Sequence, residues 1–254
     1  MDRLHSLLQE DNMDKLYIVI PAYNEQDNIE DVVKDWYPVV EQTGPDSRLV
    51  IIDDGSKDAT YAKLQELAKD RPQMEPLHKE NGGHGATVLY GYRYAIQKKA
   101  DYIFQTDSDG QTLPSEFADF WKLRKEYDMV IGHRKGRQDG FSRVFVTKVL
   151  KAVCLLCFHV KVQDANTPFR LMKTESLKKE IGLIPKDYNL SNVVVSVLFI
   201  KKGYKVKYLP ITFRPRQGGV NSINLKKIFK IGQKAVKDFA RINKIIKNKN
   251  GETK

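Results

Sequence analysis

The sequence has little of several features that would assign it to a specialised class of protein. Only two of its 254 residues are cysteines, which excludes a disulfide-stabilised scaffold. The longest run free of Lys and Arg in its most apolar stretch is Ala152–Val160, nine residues against the ~20 that span a bilayer. The N-terminal MDRLHSLLQEDNMDK has no apolar region typical of a signal peptide. These absences predict a cytoplasmic protein with no membrane-spanning segment.

Positive charge is present in excess, but it is unevenly distributed. The chain has 43 basic and 32 acidic side chains, a net charge of +11. Residues 223–254 hold ten of the basic and two of the acidic groups, so this tail carries +8 and the remainder only +3. From Leu225 onwards apolar residues recur on one helical face with lysines opposite, which predicts a basic amphipathic helix. Such a helix can bind an anionic membrane surface or pack on the domain by its apolar stripe.

The same charge would suit a protein that binds nucleic acid. The only aromatic residues of the tail are Phe229 and Phe239, and both belong to its apolar stripe. They therefore offer no platform on which bases could stack. We expect that nucleic acid is not a partner.

Short apolar runs alternate with amphipathic stretches, which predicts an α/β fold with a mostly parallel sheet and helices on both faces. The predicted strands of the first half are Leu16–Ile20, Leu49–Ile52, Tyr102–Thr106 and Met129–Gly132. Helical patterns cover 27–40, 57–69, 86–98 and 114–127. The second half predicts helices at 142–158, 174–181 and 191–202, and strands at 169–173 and 204–213.

Polar residues follow the predicted strands at the points where they end. The segments are Pro21–Glu25 (PAYNE), Asp53–Asp58 (DDGSKD), Asp107–Gln111 (DSDGQ) and Gly132–Arg134 (GHR). In open parallel sheets, ligands bind outside the carboxyl ends of the strands. The sequence therefore predicts a binding site at this edge of the sheet.

The DSDGQ segment indicates a metal site. Asp107 and Asp109 stand two residues apart on a turning loop, and Gln111 adds a neutral oxygen. Three hard oxygen ligands with open positions suit Mg²⁺ or Mn²⁺ bridging a diphosphate. The alternative is a turn that merely ends a strand, because Asp and Gly both favour turns.

Two further segments point to a nucleotide but have simpler alternatives. Asp53 and Asp54 can accept hydrogen bonds from a base or ribose, although Ser56 or Asp58 could equally be capping a helix. The glycines of NGGHGA (81–86) let the backbone approach a ligand, and free amides at a helix start favour anions. The alternative is a plain flexible turn.

These motifs, in this order, resemble those of the family 2 glycosyltransferases of the GT-A fold, and among them the dolichol- or polyprenyl-phosphate sugar synthases. DANTPFR (164–170) and GYKVKYLPITF (203–213), followed by Arg216 and Ser222, extend the resemblance to about residues 16–225. The resemblance implies a GT-A fold with an N-terminal extension (1–15), a catalytic domain (16–222) and the basic tail helix (223–254).

The resemblance also implies roles for the matching residues. The donor nucleotide sugar would be held by Pro21, Tyr23, Glu25, Asp53, Asp54, His84, Asp107 and Ser108. The metal would be held by Asp107, Asp109 and Gln111. The catalytic residues would be Asp109, Asp164, Arg134 and Arg216. The sequence departs from the family at His84 and near Asn192, where Lys is common, and at Pro168, where Gly is common.

The implied activity is an inverting, metal-dependent transfer of a sugar from a UDP- or GDP-linked donor to polyprenyl phosphate at the cytoplasmic face of the membrane. The alternative acceptor is a glycan hydroxyl, as in capsule or cell-wall polysaccharide assembly. A hydroxyl needs a base, for which Asp164 is the best-placed carboxylate, whereas a phosphate is already an anion. The Q-x-x-R-W motif of many hydroxyl-acceptor relatives is absent, which favours the phosphate. The protein would be peripheral, attached to an anionic inner membrane face through its tail.

Overall fold

The computed structural model describes residues 14–134, 151–152, 154–164, 166–214 and 239–244. The strands are β1 (Leu16–Ala22), β2 (Arg48–Asp53), β3 (Met74–His78), β4 (Tyr102–Gln105), β5 (Met129–Arg134), β6 (Arg170–Lys173) and β7 (Val206–Ile211). The helices are α1 (Ile29–Thr43), α2 (Thr60–Ala68), α3 (His84–Gln97), α4 (Phe117–Lys122), α5 (Thr174–Glu180) and α6 (Ser191–Lys201). Short 3₁₀ turns precede α4 at Pro114–Glu116 and follow α5 at Ile181–Leu183.

The seven strands form one mixed sheet in the order β3-β2-β1-β4-β6-β5-β7. β1 pairs in parallel with β2 and β4, β2 with β3, and β5 with β7. β6 runs antiparallel to both β4 and β5. The prediction of a mostly parallel α/β sheet with flanking helices is confirmed.

The central strands of the sheet are buried on both faces, as their unalternating apolar sequences predict. All seven residues of β1 are buried. Because side chains alternate across a strand, Tyr17 and Val19 join the core on the α3 and α6 side. Leu16, Ile18 and Ile20 join the core on the α1 and α4 side. The central strand therefore anchors two hydrophobic cores, one on each face of the sheet.

β3 is the one strand among the described elements that the sequence patterns did not predict. It is the edge strand, its sequence is MEPLH, and most of its residues are only partly buried. Pro76 in the middle lacks an N–H, and a proline within a run argues against a strand. Lys79 N donates to Asp53 O and Leu49 N donates to Gln73 O, so odd-numbered residues of this strand face β2. Pro76 therefore faces the free edge, where it costs the sheet no hydrogen bond.

Part of the predicted tail helix packs on the domain. Residues 239–244 are helical, and Phe239 and Ile242 are almost completely buried. The Phe239 ring lies 5.3 Å from that of Phe158, and Asn243 Nδ2 donates to Cys157 O at 2.7 Å. In this segment the apolar stripe thus contacts protein, while the rest of the tail lies outside the described residues.

The segment that Phe239 contacts belongs to the predicted helix 142–158, of which residues 151–152 and 154–158 are described and helical. Its Cys154 and Phe158 are buried, whereas Leu155 and Leu156 are 45% and 74% exposed. Within the described residues, no helix has both the length and the apolar character needed to cross a membrane.

Candidate functional site

The carboxyl ends of β1, β2 and β4 and the start of α3 border one cavity of about 400 Å³. Eight of the residues predicted to bind the donor or the metal line it: Pro21, Tyr23, Glu25, Asp54, His84, Asp107, Ser108 and Asp109. Ala22, Asn81 and Gly83, from the same motifs, complete much of the wall, together with Thr87. The structure therefore brings four separate sequence motifs together in one space.

The segment after β1 is fixed by the loop after β2. Glu25 N donates to Thr60 Oγ1 at 2.9 Å, and Asn24 N donates to Ser56 Oγ at 2.9 Å. Asn24 has a φ of 53°, a left-handed conformation that Asn tolerates. The turn leaves Tyr23 43% exposed at the cavity, where an aromatic ring can pack on a nucleoside.

Asp54 anchors residues 81–83, which we call the glycine loop. Its Oδ1 contacts Lys79 Nζ and accepts from Gly82 N at 2.9 Å, and its Oδ2 accepts from Gly83 N at 2.9 Å. Burial disfavours the charge of this carboxylate, but the hydrogen bonds from Lys79 and the Gly82 amide outweigh it and hold the pKa of Asp54 below its ordinary value. Asp54 thus stays ionised at the cavity wall.

Asp53 has a different position, although it is the neighbouring residue. Its side chain is fully buried and lies 2.7 Å from His78 Nδ1, while Ser56 N donates to it at 3.3 Å. It does not belong to the cavity wall described above. Asp53 therefore shapes the β2 and β3 ends behind the wall on which Asp54 lies.

Asp107 and Asp109 lie at the other end of the cavity. His84 Nε2 is 2.9 Å from Asp107 Oδ1. The His84 side chain is half exposed. Partial loss of its hydration opposes the protonated imidazole, yet the attraction of Asp107 and its hydrogen bond raise the pKa of His84 above its ordinary value. Gly110, with a φ of 67°, provides the turn after Asp109.

The two aspartates fit a divalent cation that is shared with a substrate. The described residues contain no cluster of three or more His, Cys, Asp or Glu side chains that could enclose a metal. Two carboxylates on one cavity wall are the minimal protein contribution to a Mg²⁺ or Mn²⁺ site, because such ions take substrate phosphates and water as further ligands. The donor set is thus suited to a cation that binds together with a diphosphate.

Gln111 is placed differently from the two aspartates. It is buried, and its Nε2 donates to Arg214 O at 2.8 Å while Arg214 N donates to Gln111 O at 2.8 Å. Glu116 accepts from Thr212 N at 2.8 Å nearby. These bonds connect the DSDGQ loop to the segment after β7, and through them Gln111 joins the Asp107–Asp109 end of the cavity to that segment.

Arg134 and Asp164, both predicted catalytic residues, are paired with each other. Arg134 Nε and Nη2 donate to the two carboxylate oxygens of Asp164 at 2.8 and 2.9 Å. Both side chains are more than nine-tenths buried, and the guanidinium lies 5.0 Å from the centre of the Phe213 ring. Such a two-pronged pair is geometrically specific and strong. Arg216, the fourth predicted catalytic residue, lies outside the described residues.

Two cations that support the site were not singled out from the sequence as site residues. Arg170 is fully buried and donates to Thr167 O at 2.6 Å and to Asn192 O at 2.9 Å, so it ties α6 to the segment that follows Asp164. Lys79 contacts Asp54 from the loop after β3. A lysine that follows an unpredicted strand belongs to no recognisable sequence motif. Its role becomes visible only when β2 and β3 are placed side by side.

Comparisons with known proteins identify the family to which the chain is similar. The family model described as "Glycosyl transferase family 2" matches residues 17–181. The polyprenol monophosphomannose synthase of Mycolicibacterium smegmatis is 25% identical over 216 residues, 82% of this chain and 80% of the relative. An undecaprenyl-phosphate 4-deoxy-4-formamido-L-arabinose transferase of Pseudomonas fluorescens is 32% identical over 156 residues, 60% of this chain and 45% of the relative.

The fold has close counterparts among solved structures. One is the glucosyl-3-phosphoglycerate synthase of Mycobacterium tuberculosis in complex with Mn²⁺ and UDP-glucose. The two structures superpose with a TM-score of 0.68, at 15% identity, over 94% of this chain and 82% of that chain. The family match covers well over half of the sequence and includes the residues that line the cavity. The chain therefore belongs to glycosyl transferase family 2.

Proposed function

We propose that the chain transfers a sugar from a nucleoside diphosphate sugar to a polyprenyl phosphate, with inversion at the anomeric carbon. The pairing of Asp164 with Arg134 carries the choice of acceptor. A hydroxyl acceptor needs a base to remove its proton, whereas a phosphate monoester is already a nucleophilic anion. Asp164 is the carboxylate best placed to act as a base, and both its oxygens already accept hydrogen bonds from Arg134. Two relatives named for polyprenyl-phosphate chemistry support the same choice.

In this proposal the donor lies along the cavity from Tyr23 to Asp109. The nucleoside occupies the end formed by Pro21, Tyr23 and Glu25, and its diphosphate lies beside His84 and Asp107. Asp107 and Asp109 would hold Mg²⁺ or Mn²⁺, which supplies charge stabilisation for the departing diphosphate. His84 lies at the same end, 2.9 Å from Asp107. The acceptor phosphate would arrive from the side of Arg134 and the segment after β7.

The membrane surface that supplies such an acceptor would meet the 155–156 face, which we define as the exposed side chains Leu155 and Leu156. Residues 151–163 and 239–244 contain four exposed cations, Lys151, Lys161, Arg241 and Lys244, and no acidic side chain. Each such cation near an anionic membrane surface contributes about 1 kcal/mol. We therefore propose peripheral attachment to the cytoplasmic face through these apolar and basic groups, with the tail adding further charge.

The test is a product analysis with the full chain. UDP- and GDP-linked sugars are supplied with Mn²⁺ and either undecaprenyl phosphate or a glycan acceptor. We expect a lipid-linked sugar phosphate that releases its sugar in mild acid. Transfer to the glycan without any lipid product would establish the alternative, a polysaccharide-assembling enzyme. Failure to use any sugar nucleotide with either acceptor would refute both.

A further inference from the structure

Lys79 directly follows β3, and its ammonium group contacts three segments of the chain. Besides Asp54 in the loop after β2, it donates to Glu80 O at 2.6 Å and lies 3.4 Å from Thr87 Oγ1 in the first turn of α3. Its side chain is 19% exposed and that of Asp54 is 4% exposed. Lys79 does not line the 400 Å³ donor cavity but a neighbouring cavity that also includes Asn81 and Gly82. An effect of Lys79 on the donor therefore passes through the wall residues that it contacts, of which Asp54 is the charged and closer one.

The Asp54 carboxylate is surrounded by donors of its own chain. Lys79 and the Gly82 amide share Oδ1, and the Gly83 amide takes Oδ2. Asn81 Nδ2 adds a hydrogen bond to the Asp54 carbonyl at 2.8 Å. The main contribution of Asp54 is thus to hold residues 81–83 as one wall of the donor cavity.

The glycine loop leads directly to the metal end of the site. Gly83 is followed by His84, whose Nε2 lies 2.9 Å from Asp107 Oδ1. The start of α3 in turn packs directly on residue 189, since a Cβ atom on Gly85 would lie 2.2 Å from the Asn189 carbonyl oxygen. Displacement of Gly83 would therefore also displace His84, the side chain that contacts Asp107.

We propose that Lys79 is a positioning residue for the donor: it holds the Asp54 carboxylate and the Gly82–Gly83 amides in one arrangement, and thereby links the nucleoside end of the cavity to its diphosphate end. The inference rests on the proposed use of a nucleoside diphosphate sugar. It adds a residue that never touches the donor but determines whether both ends of the site are formed at once.

The test compares Lys79→Met, Lys79→Arg and the control Lys63→Met by calorimetric titration with UDP and with GDP in Mn²⁺. Lys63 also pairs with a carboxylate, Glu30, but on the exposed surface of α2. We expect Lys79→Met to weaken nucleotide binding at least tenfold at pH 7. Lys79→Arg should recover most of the loss because it keeps the charge, and the control should bind like the wild type.

A pH series separates this role from a merely structural one. The titratable groups that face Asp54 are Lys79 and, from α3, His84. Loss of the ammonium group removes the largest contribution that lowers the pKa of Asp54, so its carboxylate takes up a proton at a higher pH than in the wild type. Binding by Lys79→Met should therefore weaken further from pH 7 to pH 5, by a larger factor than in the wild type. A parallel pH dependence of the two proteins would contradict the inference.

A double variant covers the case in which Lys79→Met alone does not fold. Asp54→Asn combined with Lys79→Met leaves no unpaired buried charge. If Lys79 acts through Asp54, this double variant should bind nucleotide no worse than Asp54→Asn alone, and additive losses would overturn the inference. A wild-type chain that binds neither nucleotide would overturn the proposed function as well, whereas normal wild-type binding with unchanged Lys79→Met binding would overturn this inference only.

Discussion

At the scale of single residues, neighbouring carboxylates have different tasks because of what surrounds them. Asp53 is fully buried beside His78, whereas Asp54 holds the glycine loop at the cavity wall. Asp107 and Asp109, two residues apart, both reach the cavity, yet Asp107 lies beside His84 whereas Asp109 accepts from Gln111 N at 3.2 Å. Residue type alone therefore does not assign a role. The donors and cations that face each carboxylate do.

The metal proposal is tested at this scale by Asp109→Asn. The amide keeps the shape of the side chain but removes the charge that a hard cation requires. Since even the loss of an outer-shell partner weakens metal binding about 10–100-fold, we expect at least that loss in Mn²⁺-dependent UDP or GDP affinity by calorimetry.

The matched control for this substitution is Asp119→Asn on α4. That aspartate is 72% exposed and paired with Lys122, away from the cavity. The Asp119→Asn variant should bind Mn²⁺ and nucleotide as the wild type does. Both variants should keep the far-ultraviolet circular dichroism spectrum of the wild type. Undiminished metal-dependent binding by Asp109→Asn would remove Asp109 from the proposed metal site.

At the scale of elements, α3 lies unusually close to the sheet. A Cβ atom at Gly91 would lie 2.3 Å from Val19 Cγ1 and 2.9 Å from Ile52 Cδ1. No side chain fits there, so the glycine allows the helix that begins at His84 to approach β1 and β2 directly. The close packing at Gly91 thus fixes how near α3 lies to β1 and β2, whose carboxyl ends border the cavity.

Gly91→Ala should therefore destabilise the protein, by about 1–3 kcal/mol in the free energy of unfolding, as overpacking of a filled core does. Urea denaturation measures the change. Gly182→Ala is the control, because a Cβ atom there meets nothing within 4 Å, and its stability should stay close to that of the wild type. Equal stability of the two variants would show that α3 can shift away from the sheet without cost.

At the scale of the whole molecule, the C-terminal segment 239–244 packs against the helical segment that carries the 155–156 face. Phe239 packs under the segment 154–158, and Lys201 Nζ joins the two by donating to Asn243 Oδ1 at 3.0 Å. At this point the apolar stripe of the tail thus packs on the domain, whereas the neighbouring Leu155 and Leu156 stay exposed. Membrane contact here would come from Leu155, Leu156 and the cations around them.

Two substitutions distinguish the packing role of Phe239 from the proposed membrane contact of Leu156. Phe239→Ala removes a fully buried ring and should lower the free energy of unfolding by about 3–5 kcal/mol in urea denaturation. Leu156→Ser alters an exposed side chain, so stability should remain near that of the wild type while sedimentation with anionic phosphatidylglycerol vesicles decreases. Unchanged vesicle binding by Leu156→Ser would exclude this face as the attachment surface.

Much of the fold and of the site could be predicted from the sequence because the signals are local. Buried parallel strands are continuous apolar runs, and the residues at their ends mark the site, as Asp54 and Asp107 do. β3 escaped prediction because an edge strand needs neither a long apolar run nor an N–H at Pro76. Pairings across the chain, such as Arg134 with Asp164 and Lys79 with Asp54, escaped because spacing along a sequence contains no information about them.

The orientation of Pro76 has a consequence for contacts between molecules. A strand at the edge of a sheet presents unused N–H and C=O groups to any other chain that could pair with it. On β3 the outward positions are Met74, Pro76 and His78, and the middle one has no hydrogen to donate. A foreign strand added there would lose its central hydrogen bond. The same residue that hides this strand from sequence patterns thus protects the folded enzyme from sheet-to-sheet aggregation at its β3 edge.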